Sequence, residues 1–488
     1  MEPITLPTDD AGTTYDAAFT DGYHRNLLVV GVLPEAQRFA GTPAFHTLST
    51  AAEEAPGLGL LSILEQTGMV RQVYPLGRTT ASSELSMASA GAVGKLTAVA
   101  TELEHRDPLA GVSIVELTSE QDVPTVLRAM AEDPNIDFAA RVPVRYLVQD
   151  AFNGEFMAPQ AVPPAGALMW NLAKIRWREA RQKNGFTDAD DIHVAVLDTG
   201  IDPQHPDLAA NVDHYVHTYS HPLVPVYLSD QDKVGHGTHV AGTIAAGIDN
   251  GMGVHGICNA RLHAYKIFND YEDFLGWERG FGVVVNPVAY RLALRDCIDR
   301  RMHVVNLSIG GAGAPTPDEA NLFRDLLAGG TVVVAAMGNA RLQGSPVSYP
   351  AAIPGVIAVG ATGPDDRLAW FSSAGQHIAL CAPGIGIWST LPTYPGVRGH
   401  QAVPGAGSNP IPGAAVHRDT HYGISQGTSM AAPHVAAASA LIVANAGAAS
   451  PAAVKNRLME TADRTSFMEP PGNPDYGAGR LDLQGVIT

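Results

Sequence analysis

Apolar and polar positions divide the chain into two parts, and the first part alternates short strands with helical stretches. Four runs have strand character: RNLLVVGVL, MVRQVYPLG, GVSIVELT and IDFAARV. Two stretches, near 45–67 and at 120–133, have helical spacing, and in the second we expect Asp122 as the N-cap and Pro124 in the first turn. The resulting order, βαββαβ, predicts a ferredoxin-like α+β unit.

In the second part, the predicted strands are continuous apolar runs. They include IHVAVLDTG, RLHAYKIF, HVVNLSIGG, TVVVAAMGN and VIAVGA, and they alternate with helical stretches such as AYRLALRDCIDRRM and DEANLFRDLLAGG. Continuous apolar strands are typical of a parallel sheet that is covered by helices on both faces. The second part is therefore predicted to be an α/β domain with a mostly parallel sheet.

The boundaries between these parts follow from composition. Residues 149–166 are rich in Pro and Gly and have little periodicity, which predicts a linker. Residues 79–108, rich in Ser, Ala and Gly at their start, indicate an inserted loop or a mobile helix. The predicted divisions are a flexible N-terminus at 1–20, the α+β unit at 21–148, the linker at 149–166 and the α/β domain at 167–488.

The overall composition is that of a globular protein, and the charge limits the kinds of partner that the protein can bind. The 488 residues are 45% hydrophobic, with 50 Gly and 35 Pro that are spread along the chain. A formal net charge of -18 argues against nucleic acid as the main partner, because phosphate binding needs clustered Lys and Arg. The apolar stretch near 431–449 contains His434 and many alanines, so a buried helix is expected there and no membrane span.

Two further features bear on compartment and on redox chemistry. The first residues lack the basic region and apolar core of a Sec signal, which favours a cytoplasmic location and leaves secretion by a non-Sec route open. The three cysteines, Cys258, Cys297 and Cys381, form no C-x-x-C pair. A disulfide framework or a zinc site is therefore not expected, although one disulfide stays open.

Two serines near the C-terminus compete for a chemical role. Ser425 lies in GISQG, which matches the G-x-S-x-G elbow of α/β-hydrolases. In that class the acid and then the histidine follow the serine, whereas the last histidine here is His434, and HRDTHYG is a poor strand to precede an elbow. We therefore expect Ser425 to be a loop residue.

Ser429 opens the strongly helical stretch TSMAAPHVAAASALIVANAG, with Pro433 in the first turn. At a helix start its side chain lies at the positive end of the helix dipole, and its backbone N–H has no acceptor within the helix. The alternative is that Ser429 or Thr428 simply caps the helix.

Other segments supply the groups that a nucleophilic serine requires, namely a base and a carboxylate that orients the base. Asp198 ends an apolar strand, at the sheet edge where α/β domains build their sites. His236 starts a predicted helix, and Asn339 follows the VVVAAMG strand with an amide that can donate to an oxyanion. Together with Ser429, these residues predict an acyl-transfer site.

Three of these segments carry a family resemblance. AVLDTGID with HPDL, GHGTHVAGTIAA and GTSMAAPHVAAASALI resemble, in this order, the Asp, His and Ser blocks of subtilisin-like serine proteases, and the similarity covers about 165–488. It implies a subtilisin-like three-layer αβα domain and a serine endopeptidase that acts through an acyl-enzyme. It implies Ser429 as nucleophile, His236 as general base and then acid, and Asp198 as its orienting partner. Asn339 and the Ser429 N–H would bind the oxyanion.

Two other histidines lie near these groups. His236-x-x-His239 has a spacing seen in metal sites, but the sequence contains no H-E-x-x-H and implies no third ligand. We expect His239 and His434 to be packed structural residues.

The resemblance also implies a substrate site. VVNLSIGGAG resembles the edge strand that pairs with substrate backbone. The substrate residue before the cut bond would lie in a pocket with two walls and a floor. One wall would be formed by Ser308, Ile309 and Gly310, and the floor by Ser348. The other wall would be formed by Ala335, Ala336, Met337 and Gly338. These uncharged walls predict an apolar or neutral residue there; the alternative is that 332–339 is simply a buried strand.

A structural calcium site is implied in the same way. GIDNGMGVHG resembles the calcium loop of the family, and Ca²⁺ prefers hard oxygen ligands. The implied ligands are the side chains of Asp207 and Asn250 and the carbonyls of Ile248, Met252 and Val254. The alternative is a glycine-rich turn.

The first part of the chain resembles the inhibitory prodomain of the family, most clearly from GVSIVELT to RVPVRYLV, and ALMWNLAKIRWREA resembles the start of the mature domain. The implied partners are a peptide or protein substrate and the chain's own prodomain, whose tail at about 143–149 would lie in the substrate groove and be cut near the linker. The Gly/Pro-rich insertion at 392–423 is expected to restrict access to the site.

Two other functions stay open: a transpeptidase or peptide cyclase, in which an amine replaces water, and a catalytically silent binding module.

Overall fold

The structure is a computed structural model, and it describes most of the chain. The described residues are 19–20, 22–32, 60, 64, 67–77, 107–147, 168–217, 219–221, 224–226, 229–276, 280–447, 449–465, 468–470 and 472–487. The predictions for the N-terminus, the linker, and most of the first helix and of the loop at 79–108 lie outside these residues.

The first part of the chain contains an antiparallel sheet. Its strands are β1 Phe19–Thr20, β2 Tyr23–Val32, β3 Val70–Pro75, β4 Val112–Leu117 and β5 Ile136–Pro143. β2 lies between β4 and β5, and β3 is paired with β4, which is the strand order of a ferredoxin-like unit. Helix α1, Val123–Glu132, packs on this sheet through Val126 and Met130.

The start of α1 differs from the prediction. Asp122 makes no capping hydrogen bond, and it ends a short 3₁₀ turn, Glu120–Asp122. Ser119 caps that turn by accepting a hydrogen bond from the Gln121 N–H. Because the 3₁₀ turn runs directly into the helix, the capping position moves upstream, while Pro124 lies in the first turn as expected.

In the described part of the second half, seven parallel strands form one sheet. Its order is β18-β17-β16-β14-β7-β11-β8, with the strands β7 His193–Asp198, β8 Val212–Val216, β11 Arg261–Lys266, β14 Val304–Leu307, β16 Val332–Ala336, β17 Ile357–Thr362 and β18 Ile378–Pro383. The strand order reverses between β7 and β14, so the carboxyl ends of these two strands form a switch point, where α/β sheets place their sites.

Helices cover both faces of this sheet, which confirms the predicted α/β architecture. The helices of this half are α2 Trp170–Lys174, α3 Trp177–Arg181, α4 His236–Ala245, α5 Pro287–Asp299, α6 Pro317–Ala328, α7 Thr428–Ala446, α8 Pro451–Glu460 and α9 Leu483–Val486. The core on one face includes α4 and α7, and the core on the other face includes α5 and α6. The antiparallel sheet of the first part joins the second core through Val29, Ile114 and Val142.

Helix α7 is long and apolar enough to cross a membrane, but 78% of its most apolar stretch is buried inside the protein. The prediction of a core helix is therefore confirmed. Its N-cap is Gly427, so neither Thr428 nor Ser429 caps it.

A second sheet lies beside the switch point. Its order is β15-β6-β13-β20-β21, with β12 also paired to β13, and its strands are β6 Tyr146–Leu147, β12 Phe268–Phe274, β13 Phe281–Val285, β15 Ile309–Gly310, β20 Val397–Pro404 and β21 Pro410–His417. The insertion at 392–423 therefore contains a β-hairpin that extends this sheet. Two further pairs are β9 Tyr219–His221 with β10 Val224–Val226, and β19 Ile387–Thr390 with β22 Tyr422–Ser425.

Candidate active site

Asp198 and His236 meet at the carboxyl end of the parallel sheet. Asp198 is the last residue of β7 and His236 the first residue of α4, and both are buried. His236 Nδ1 donates to Asp198 Oδ1 at 2.7 Å, which leaves Nε2 without a hydrogen-bond partner in the described part of the chain. Only glycine fits at position 237, because a Cβ there would lie 2.0 Å from the Gly200 carbonyl oxygen. The helix start therefore approaches the Asp198 loop closely.

A second buried carboxylate, Asp232, ties these two segments together. Its Oδ1 accepts from the Thr199 hydroxyl at 2.8 Å and from the Gly235 N–H at 2.8 Å. Its Oδ2 accepts from the Thr238 N–H at 2.9 Å and from the Thr238 hydroxyl at 2.7 Å. Thr199 follows Asp198, and Gly235 and Thr238 flank His236, so Asp232 positions both members of the pair. Sequence reasoning missed this residue; the available signal was an acidic side chain four positions before a helix-start histidine.

Ser429 lies in the first turn of α7 and is buried. Its hydroxyl donates to the Ser308 carbonyl oxygen at 2.9 Å, and the Ser308 hydroxyl donates to the Ser429 carbonyl oxygen at 2.9 Å. This reciprocal pair joins the start of α7 to the segment between β14 and β15. The nucleophile candidate therefore lies at the same switch point as Asp198.

Asn339 is held beside Ser429 by the intervening residue Thr428. Asn339 Oδ1 accepts from the Thr428 N–H at 3.0 Å and from the Thr428 hydroxyl at 2.9 Å. The same hydroxyl accepts from the Gly338 N–H at 3.1 Å. Because the carbonyl end of the Asn339 amide is fixed in this way, Nδ2 is the end that can donate to an oxyanion.

The structure brings the predicted substrate-binding residues together around the end of β16. Ile309 and Gly310 form β15, directly after Ser308, and all three are buried, as are Ala335, Ala336, Met337 and Gly338. β15 lies against β16. Ser348 lies next to Gly338, where a Cβ would be 3.5 Å from the Ser348 Cβ. The predicted walls and floor are therefore neighbours.

The tail of the first part, β6, occupies the edge of β15. Leu147 pairs with Ile309 and Tyr146 with Gly310, antiparallel, while Tyr146 also pairs with Val284 of β13. A chain that continued past Leu147 in this antiparallel register would next meet Ser308, whose carbonyl accepts the Ser429 hydroxyl. An extended chain in this place thus leads directly to Ser429.

Ser425 differs from its prediction in one respect. It is not in a loop, because it ends the short strand β22. That strand pairs antiparallel with β19 and lies outside the parallel sheet, so the geometry of an elbow is absent from this described segment.

His239 and His434 are buried and hydrogen-bonded. His239 Nε2 donates to the Ile387 carbonyl at 3.0 Å, and burial lowers the pKa of His239 to about 3. His434 donates from Nδ1 to the Met430 carbonyl at 2.8 Å, and burial lowers its pKa to about 4. Both side chains are neutral packing residues.

The loop with the implied calcium ligands is closed by hydrogen bonds. Asp207 is 2% exposed, and its Oδ1 accepts from Asn250 Nδ2 at 2.6 Å and its Oδ2 from the Val254 N–H at 3.0 Å. Asn250 Oδ1 accepts from the Met252 N–H at 3.0 Å. Among the described residues, the Asp207 carboxylate forms no ion pair with Lys or Arg.

A histidine cluster that sequence reasoning missed lies at the other end of the sheet. His193, Asp213 and His263 have ligand-type atoms within 4.8 Å of one another, and they come from three neighbouring strands, so no sequence spacing could reveal them. His193 Nδ1 and His263 Nε2 share a hydrogen bond of 2.7 Å, which accounts for their approach without an ion.

Comparisons with known proteins place the chain among similar proteins. The profile of the Subtilase family matches residues 189–480. Subtilisin E of Bacillus subtilis (strain 168) is 35% identical over 351 residues, which are 70% of this chain and 75% of that protein. An alkaline protease of Alkalihalobacillus alcalophilus is 31% identical over 442 residues, 90% of this chain and 94% of that protein.

A solved structure shows a similar fold. Fervidolysin from Fervidobacterium pennivorans, described as a keratinolytic enzyme related to subtilisin, superposes with a TM-score of 0.60 at 22% identity. The match covers 96% of this chain and 62% of the fervidolysin chain, which is less than two thirds. At this identity the likeness concerns the fold alone.

Proposed function

The chain belongs to the subtilase family of serine peptidases, and from this premise we propose that Ser429, His236 and Asp198 hydrolyse peptide bonds and that the chain is made as a zymogen. The observation that carries the proposal is the strand Tyr146–Leu147, which pairs antiparallel with β15. β15 directly follows Ser308, whose carbonyl accepts the Ser429 hydroxyl.

In the first half of the reaction, Ser429 Oγ attacks the carbonyl carbon of the substrate while its proton passes to His236 Nε2. The Ser429 hydroxyl must first release the Ser308 carbonyl and donate to His236 Nε2 instead. In many enzymes such catalytic hydrogen bonds form fully only when substrate is bound. His236 then gives the proton to the leaving nitrogen, the C–N bond breaks, and an ester on Ser429 remains.

In the second half, water attacks this ester while His236 takes a proton from the water. His236 then gives that proton to Ser429 Oγ as the C–O bond to Ser429 breaks, which releases the acid product and restores the free serine and the neutral histidine. Asp198 accepts the Nδ1–H of His236 throughout, which fixes the tautomer with a free Nε2 and stabilises the imidazolium. Asp232 holds the two loops in this relation.

The oxyanion that forms in both halves would be bound by the Asn339 side-chain amide and the Ser429 N–H. Asn339→Leu is expected to lower kcat by about 10²–10³-fold with little change in KM, the size of the effect known for the corresponding donor of subtilisin. Steady-state kinetics on a peptide amide checks this result.

Asn339→Asp is the matched control for this prediction. It keeps an oxygen that can accept from Thr428 but places a negative charge at the oxyanion, so kcat should fall at least as far. If Asn339→Asp keeps near wild-type kcat, Asn339 only holds Thr428 and the assignment is wrong.

The tail of the first part would act as the inhibitor and as the first substrate. Tyr146 and Leu147 are paired antiparallel with Gly310 and Ile309, and a chain continued in this register would meet Ser308 next. This register predicts a cut between Val148 and Gln149, which lie just outside the described residues. N-terminal sequencing of the larger fragment should begin at Gln149; a start upstream of Tyr146 would contradict the register.

The loop at 247–256 is proposed as a structural calcium site. Asp207 is a buried carboxylate without an ion-pair partner in the described residues. For Asn250 to become a ligand beside it, the amide would have to turn over, which gives up the hydrogen bonds of Nδ2 to Asp207 and of Oδ1 to the Met252 N–H. Asp207 and Asn250 would then each present an oxygen, with the carbonyls of Ile248, Met252 and Val254 as further ligands. Bound calcium would hold this loop to the Asp207 segment.

Millimolar Ca²⁺ is expected to raise Tm by a few degrees over a sample in EGTA, because an ion that binds only the folded chain stabilises it. Calorimetry on the Ser429→Ala variant avoids self-digestion. Asp207→Asn should lose the calcium-dependent rise, and Asp249→Asn, an exposed change in the same loop, should keep it. Equal Tm in calcium and EGTA would show that hydrogen bonds alone close the loop.

A further inference from the structure

Arg145, the residue before β6, is buried in the α/β domain although it carries a charge. Its side chain is 2% exposed. Nε donates to Glu319 Oε1 at 3.2 Å, and Nη2 donates to Oε1 and Oε2 at 3.0 Å each. Nη1 donates to the Gly313 carbonyl at 2.8 Å. Every nitrogen of the guanidinium is therefore bound, in the forked geometry that arginine forms and lysine cannot.

The α/β domain supplies the acidic groups of this pocket. Glu319 lies in the first turn of α6 and is fully buried, and the Tyr290 hydroxyl of α5 donates to its Oε1 at 3.3 Å. The neighbouring Asp318 already has a different partner, because Arg291 Nε donates to Asp318 Oδ2 at 2.5 Å. Among the described residues, Arg145 is the one salt-bridge partner of Glu319. A buried carboxylate that loses its cation is strongly disfavoured, so the pocket selects for a positive group.

The backbone at this point is held as a peptide substrate would be. The Arg145 carbonyl accepts from the Val285 N–H at 2.9 Å, and the next two residues form the paired strand β6. Gly311 permits the close approach, since a Cβ there would lie 2.1 Å from the Val144 carbonyl oxygen. Counting from the cut that the register predicts, Arg145 is the fourth residue on the acyl side.

We propose that Glu319 makes this pocket a recognition site for arginine at the fourth residue before the cut bond. The inference rests on the proposed peptidase function and names its substrate class: extended segments of the form Arg-x-x-x, cut after the fourth residue, with an apolar or neutral residue at the cut. Once the tail has left, the arginine of a substrate replaces Arg145 on Glu319.

The test uses the processed wild-type protein and four peptide amides with the same fluorogenic leaving group. Their sequences are Arg-Tyr-Leu-Val and the same peptide with lysine, citrulline or alanine in the first place; citrulline has the shape of arginine without its charge. We expect kcat/KM for the arginine peptide to exceed that for citrulline and alanine by about 10²-fold or more, with lysine between them.

Glu319→Gln keeps the size of the side chain and an oxygen that can accept from Tyr290. For this variant, kcat/KM for the arginine peptide should fall to the value for the citrulline peptide. The alanine peptide should stay within about threefold of its wild-type rate, which shows that the variant is folded and active. If the variant does not fold or process itself, the four wild-type rates alone decide the question.

The outcomes separate this inference from the function on which it rests. Equal rates for arginine and citrulline in the wild type would overturn it, and the peptidase function would stand; Arg145 would then only anchor the tail. If the processed protein cuts none of the four peptides but cuts other peptides, the inference is likewise wrong. If it cuts no peptide at all, the proposed function fails, and the inference fails with it.

Discussion

Replacing Ser429 with alanine is expected to slow the cut that releases residues 1–148 by about 10⁶-fold, the loss that removal of the nucleophile causes in subtilisin. Without Oγ no acyl-enzyme forms, and His236 has no serine proton to accept. The first-order rate of self-cleavage, followed by the loss of full-length chain on a denaturing gel, checks the prediction.

Ser425→Ala is the matched control for this change. Ser425 lies four residues upstream in the rival G-x-S-x-G motif, and it ends a strand that is paired outside the parallel sheet. Self-cleavage of this variant should stay within about threefold of the wild type. If Ser425→Ala blocks the cut and Ser429→Ala does not, the two serines have been assigned the wrong way round.

The second large effect is expected from Asp198→Asn, at about 10⁴-fold in the rate of self-cleavage. The asparagine fills the same space, but its amide can donate to His236 Nδ1 and so favours the tautomer with the proton on Nε2. That tautomer cannot accept the proton of Ser429. The rate should fall while the near-ultraviolet circular dichroism and Tm stay close to the wild type.

A loss of less than about tenfold would contradict the role of Asp198. The carboxylate would then be a structural partner of His236, and Asp232 would be the next residue to change, since it contacts both loops of the pair. Asp249→Asn removes an exposed carboxylate outside the hydrogen bonds of both loops, and it provides a control that should leave the rate unchanged.

The sequence predicted five of the seven parallel strands, β7, β11, β14, β16 and β17, because most of them are buried and rich in apolar residues. The two edge strands, β8 and β18, were not predicted, and β8 carries polar side chains and is only partly buried. The sequence also led to the neighbourhood of Asp198, His236 and Ser429, because each follows a strand end or begins a helix, and those ends meet at one edge of the sheet. The local sequence is enough to predict where a residue lies when its position is set by the strand or helix that contains it.

The features that sequence reasoning missed depend on contacts between distant segments. Arg145 and Glu319 are 174 positions apart, and nothing in either neighbourhood points to the other. The role of Asp232 arises from hydrogen bonds to two loops at once. The hairpin β20–β21 was hidden because its Gly- and Pro-rich sequence has weak strand character, and its pairing with β13 supplies what local preference lacks.

The most direct test of the central claim is to find which atom of the processed protein reacts with a serine-directed organophosphate. Digestion and mass mapping after treatment with diisopropyl fluorophosphate should show one adduct, on Ser429, with loss of peptidase activity in proportion to labelling. The Ser429→Ala variant should take up none. An adduct on Ser425 or on another residue, or full activity in a protein labelled at Ser429, would contradict the account.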